Sequence, residues 1–162
     1  MATSLTAAID GLEDLLIAST TFKSSFDLSS EQAIRDQRIM LEAITDENDN
    51  LLSELPAAAI LEDDHRYSLI AHGPGLELAA AGSVMLLMAK NVTFSDNDKK
   101  SRHDFTEWSS QIVDEIVALI AEGNHYPFSS VSLGQRAVRP PRKKRTQDFW
   151  WCSYRFGFSI DE

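Results

Sequence analysis

Four histidines, one cysteine and a ten-residue stretch with six positive charges are the side chains of this sequence whose chemistry could exceed packing. His65 stands beside Asp63 and Asp64, while His72, His103 and His125 follow at wide intervals. Structural zinc sites draw ligands from closely spaced pairs, and no Cys-x-x-Cys or His-x-x-x-His occurs here. "EDDHR" reads more simply as a charged turn. Cys152 shares one side of an alternating run with Trp150, Tyr154 and Phe156, where a thiol behaves as a small hydrophobe. A nucleophilic role would need a cationic, accessible setting and a partnered histidine. "HGPGLELAAAG" has glycines but neither the Gly-Lys-Ser/Thr of a P-loop nor a dinucleotide fingerprint, and it reads as a loop between strands. "FSSVSLG" is not a Gly-x-Ser-x-Gly elbow. The expectation is a protein that is not an enzyme, with no cofactor, no metal and no catalytic residues.

The charged stretch is Arg136, Arg139, Arg142, Lys143, Lys144 and Arg145, in a chain of formal net charge −10. Residues 1–135 hold 8 basic and 22 acidic side chains, a net of −14, whereas residues 136–162 hold 7 and 3, a net of +4. The acidic body repels DNA at long range and leaves the basic run facing a large opposite charge, on its own copy or another. Three readings rank in this order: a solvated hairpin loop, an assembly contact with the acidic body of a second copy, and a nucleic-acid patch. The third falls behind because the neighbouring aromatics share the face that should be core. The second is heterologous, and a rotation that closes turns it into a ring.

The elements that must carry these residues are read from periodicity. Leu5, Ala8, Ile9, Leu12 and Leu16 recur at helical spacing and predict a helix over 4–18. Ser29 with Gln32 suggests a capping box and a short helix near 30–36. "RIMLEAI" either continues that helix or turns into a strand, and the strand is preferred. "TDENDN" reads as a solvated loop, and Pro56 opens the next element. "AAAILE" and "RYSLIAHG" are short strands separated by an acidic turn, Glu62–Asp64, with Tyr67, Leu69 and Ala71 on one face. "GSVMLLMAKN" is apolar on both sides, as a central strand covered on two faces would be.

A helical stripe of Phe105, Trp108, Ile112, Ile116, Leu119 and Ile120 follows a polar loop, with Asp104 as its N-cap and Gly123 as its stop. "FSSVSLGQRAVR" places Val131 and Leu133 on one face, and Gly134 marks a bulge. "PPRKKRTQ" is a loop or arm. Finally Trp150, Cys152, Tyr154, Phe156, Phe158 and Ile160 alternate with Trp151, Ser153, Arg155, Gly157 and Ser159, a strand of period two.

The fold class expected is α+β: a mixed, mainly antiparallel β-sheet with two main helices packed on it and a C-terminal β-hairpin. At 162 residues, 43% hydrophobic and 25% charged, the chain suits one domain over 1–162, with a variable insert at 27–50 and a basic hairpin arm at 136–147. No apolar run approaches a membrane span, and "MATSLTAAIDGLEDLL" has the acids a signal peptide lacks. A single cysteine excludes an internal disulfide and fits a reducing compartment.

Several stretches together resemble the tail terminator (tail completion) proteins of long-tailed bacteriophages and prophages. "AAIDGLEDLLIASTTFKSSF" is similar to their opening helix and small-residue turn. "PAAAILEDD" and "GSVMLLMAKN" look like their second and third strand positions. "DFTEWSSQIVDEIVALIAE" resembles their long helix, and "FSSVSLGQRAVRPP" with "DFWWCSYRFGFSI" their closing hairpin. The resemblance spans most of the chain except 27–50. It implies a virion structural protein that forms a hexameric ring, caps the tail tube protein and meets the head-completion (neck) proteins, with DNA passing through rather than bound specifically, and with no membrane partner. It also implies assembly in the host cytoplasm and residence in the virion tail or neck. Only the region of the arm at 136–145 carries over as a site. The rival readings are a head-closure or neck adaptor, and a small binding domain that recognises an acidic protein through the arm.

Overall fold

Apolar residues spaced three and four apart wind Ser4–Ala18 into α1, and Ala8, Leu12, Leu15 and Leu16 are wholly buried along its inner stripe. In this computed structural model the described residues are 4–41, 43–44, 54–72, 75–91, 98–123, 128–138 and 149–161; the side chains of 64–72, 76–80, 98, 135–138 and 160–161 are not described. Two short helices follow, α2 (Thr20–Ser24) and α3 (Glu31–Arg38), then strands β1 (Ile39–Met40), β2 (Ala57–His72) and β3 (Gly75–Asn91). The long helix α4 (Asp98–Ala121) leads to β4 (Phe128–Val138) and β5 (Phe149–Asp161). The class is α+β, as expected: helices on a five-stranded, mixed, mostly antiparallel sheet that closes on the β4–β5 hairpin. No helix among the described residues is long and apolar enough to cross a membrane.

Strand order is β1-β2-β3-β5-β4. β1 runs parallel to β2, and every other pairing is antiparallel. The last strand therefore lies inside the sheet and the one before it forms the edge. β5 alternates as its sequence predicts: Trp150, Cys152, Tyr154, Phe156 and Phe158 are buried with Ile60, Val84, Leu86 and Met88 against α1 and α4. Each fully buried aliphatic or aromatic side chain there stabilises by about 1.5–3 kcal/mol over an exposed one.

Among the described residues the opposite face of the sheet is covered only in part. Ile44, Ala59, Ala89 and Phe149 form a small second cluster there, flanked by Met40, Leu55, Leu61, Leu87 and Trp151. β3 is the central strand, but Met85 and Leu87 on this face are only half buried, so it is fully covered on its helical side alone. Within 27–50, Ile34 and Ile39 enter the main core and Ile44 the second cluster. "TDENDN" lies outside the described residues.

Several local expectations change. Ser30, not Ser29, caps α3, its hydroxyl accepting from the Ala33 amide at 3.1 Å. Ala33 has no side chain to return the bond, and Gln32 instead donates to Asp36 at 2.9 Å. The "RIMLEAI" strand shrinks to two residues. "AAAILE" and "RYSLIAHG" belong to one strand, and Glu62–Asp64 is a bulge rather than a turn. Glu62 pairs with Val84 and His65 with Gly82, so Asp63 and Asp64 oppose the single residue Ser83.

"HGPGLELAAAG" is not a long loop: His72 pairs with Gly75, and β3 runs on from there. The connecting Gly73 and Pro74 lie outside the described residues, as do the side chains of Tyr67, Leu69 and Ala71. α4 begins at Asp98, so Asp104 is inside the helix and caps nothing. The cause is tertiary: Ser101 in the first turns is buried, and its hydroxyl accepts the Trp150 indole N–H at 2.9 Å. Gly123 ends the helix as expected, at φ +75°, with its amide donating to the Ile120 carbonyl.

Candidate assembly surface

The basic run follows β4, the last described strand at one side of the sheet. Arg136 lies in β4, paired through its backbone position with Cys152 of β5. Arg139, Arg142, Lys143, Lys144 and Arg145 lie outside the described residues, in the connection between β4 and β5. β4 pairs with β5 on one side and with no described strand on the other. Among the described residues its backbone N–H and C=O groups on that side have no strand partner, and such an edge is a template for another strand.

Two bulges shape this edge. Register shifts fall between Phe128 and Ser130 and, as the glycine predicted, between Leu133 and Gln135. At Gly134 an added Cβ would come within 2.9 Å of the Ser153 hydroxyl and 3.4 Å of its carbonyl oxygen, so the strand approaches β5 too closely for a side chain. Val131 is half buried against the core, whereas Leu133 is 53% exposed.

Depressions flank β4 on both faces of the sheet, the one on the helical side mainly apolar. On the helical side a cleft of about 330 Å³ is lined by Val117, Ile120 and Ala121 of α4 and by Ser129, Ser130 and Val131 of β4. On the other side a depression of about 470 Å³ is bounded by Met85, Leu87, Ser132, Trp151, Ser153 and Arg155, among others, while Leu133, paired with Tyr154, lies on the helical side with Val131 as expected. Among the described residues three large apolar side chains are markedly exposed: Leu41, Val117 and Leu133. Two of the three border this one edge. Sequence reading missed Val117 because it belongs to the helical face that only strand order leaves uncovered.

Across this second face, a polar clasp ties three strands. Asp63 Oδ2 in the β2 bulge accepts from Ser83 Oγ of β3 at 2.7 Å and from Arg155 Nε of β5 at 2.6 Å. Asp63 faces this side by the alternation of β2 itself, in step with Leu61, whose partner Met85 pairs in turn with Arg155. Arg155 is 55% exposed, so the ion pair itself adds well under about 1 kcal/mol after solvent screening.

The other groups with chemical potential are accounted for by the fold. Cys152 is buried in the core. His103 Nδ1 lies 3.9 Å from both Asp104 Oδ1 and Glu107 Oε2, on the solvent side of α4, and all three side chains are exposed. His65 and His72 lie in β2 with undescribed side chains, and His125 lies outside the described residues. Glu115 accepts from Ser19 Oγ (2.5 Å), Thr21 Oγ1 (2.7 Å) and the Thr21 amide (3.1 Å). Burial pushes its pKa up, but these hydrogen bonds outweigh burial and hold the carboxyl below its ordinary value. That carboxylate locks the α1–α2 junction to α4, a structural task.

Neither a protein-family model nor a curated protein matches this chain.

Proposed function

We propose that the chain is a structural subunit of the tail terminator type, which assembles head to tail into a ring, caps a phage or prophage tail tube and meets the neck proteins. One observation carries this reading: the α+β sheet ends in a strand that no described strand pairs on its outer side and that leads in sequence into the basic run, on a body of opposite charge. The resemblance of the opening helix, the long helix and the closing hairpin supports the same class. The acidic body suits a ring around a DNA channel, because a surface that repels phosphate does not retard passage of the genome.

Size-exclusion chromatography with light scattering, on the chain alone and with a tail tube protein, tests the proposal. The expected result is a ring-sized species, alone or on tube ends, that shortens or stops tube growth. A strict monomer that ignores the tube sinks it. Replacing Arg142, Lys143, Lys144 and Arg145 together by alanine should weaken assembly and leave the monomer folded, and added salt should weaken the wild-type contact in parallel. Loss of binding to an acidic non-phage protein, with self-assembly untouched, would instead favour the binding-domain reading.

A further inference from the structure

The depression on the second face of the sheet has a defined shape. Along β5 the side chains on this face are Trp151, Ser153 and Arg155, so two long residues flank a short one. Strand geometry sets the two flanks about 13–14 Å apart along the chain. Leu87 pairs with Ser153 and Met85 with Arg155, which makes the neighbouring floor apolar. On the β4 side stands Gly134, where an added Cβ would come within 2.9 Å of Ser153 Oγ. Glycine therefore keeps that side of the trough low. The space left, about 470 Å³, is within the range of pockets that hold small organic molecules.

The guanidinium at one flank is pre-set. Asp63 Oδ2 holds Arg155 Nε at 2.6 Å and is itself held by Ser83 Oγ at 2.7 Å. Among the described residues Asp63 is the carboxylate partner of Arg155, whose side chain is still 55% exposed. Engagement through Nε leaves the Nη1–Nη2 edge of the fork for a second, bidentate acceptor.

We propose that this trough binds a small aromatic monocarboxylate, its carboxylate on the outer edge of the Arg155 guanidinium and its ring against Trp151 and Leu87. Three features narrow the ligand to that class. A carboxylate matches the planar fork with two parallel, charge-assisted hydrogen bonds. Asp63 already balances the charge of Arg155, so a second negative charge on the ligand would lose its hydration and gain no partner. The half-buried Trp151 ring, with Leu87 and Met85 beside it, favours a flat apolar body. The site needs no second copy of the chain, and it stands or falls separately from the head-to-tail reading.

Titration of the full chain with sodium benzoate, followed by its indole and amide resonances, tests the site. Saturable shifts should centre on Trp151, Ser153 and Arg155. Benzamide, the neutral isostere, and phenyl phosphate, with its extra charge, should each bind at least about tenfold more weakly. Arg155→Met should lower the affinity for benzoate by a similar factor while circular dichroism reports a folded chain. That change also opens the clasp, so Ser132→Phe serves as a second variant. It leaves Arg155 and Asp63 in place, fills the trough from an exposed position paired with Arg155, and should abolish the shifts. Equal affinity for benzoate and either control would overturn the proposal. So would benzoate shifts that never saturate, or that persist unchanged in Ser132→Phe.

Discussion

Glu115 illustrates what a single side chain does in this fold. A carboxylate inside a helix would ordinarily be left to water, yet here it meets two hydroxyls and an amide from the turn between α1 and α2. Ser19 serves twice, since its hydroxyl also accepts the Phe22 amide at 3.2 Å and caps α2. Glu115→Gln should therefore cost about 1–2 kcal/mol at neutral pH, read from denaturant or thermal melts, because the amide accepts less strongly and brings N–H groups to face donors. The folded-state pKa lies below the ordinary 4.5. The carboxylate's contribution is thus complete above the ordinary value and disappears as pH falls through the lowered one. Wild type and Glu115→Gln should accordingly converge in stability as pH falls below the ordinary carboxylate value. A gap that stays constant with pH would assign the loss to shape rather than charge. Nothing local in the sequence marks Glu115, because its partners lie more than ninety residues away.

Elements with one strong period were legible from the chain, and elements set by distant partners were not. The alternation of β5 and the stripes of α1 and α4 each bury a face that the sequence itself specifies. The first turns of α4 do not, since Lys99, Lys100, Arg102 and His103 are exposed and polar. They are helical because Ser101 docks on Trp150, whose ring also stacks with Phe105 at 6.5 Å. Ser101→Ala should leave the buried indole N–H unpaired and lower stability by about 1–2 kcal/mol, with the change in hydrogen exchange concentrated in the first turns of α4. A uniform change along the whole helix would count against that docking role. Gly134→Ala should also destabilise, by about 1 kcal/mol, as its methyl presses on Ser153 of β5. The bulge at Asp63 escaped notice for a simple reason. Three consecutive acids look like a turn until Ser83 and Arg155 are known to face them.

At the scale of the whole molecule, charge was readable and openness was not. The contrast between an acidic body and a basic tail is plain from residue counts. Which strand ends the sheet depends on β5 entering between β3 and β4, a non-local choice that no short window records. The prediction proper to this scale is a salt dependence: assembly should weaken steadily as ionic strength rises, and the slope should flatten when Arg142–Arg145 are replaced by alanine.

The alternating strand directions also separate the two hairpin ends. β4 leads into the basic run at the end of the sheet where β2 begins and β3 finishes, since Val138 pairs with Trp150, Trp150 with Lys90, and Ala57 with Ala89. The β2–β3 connection leaves from the opposite end, after His72. Copies joined side by side in one orientation would carry all their basic runs on one rim and all their β2–β3 tips on the other. Such a particle has a front and a back, one bearing the β4–β5 connections and the other the β2–β3 connections. A two-faced cap of this kind can recognise a tube end with one rim and leave the other for a different neighbour, so that growth stops after a single layer.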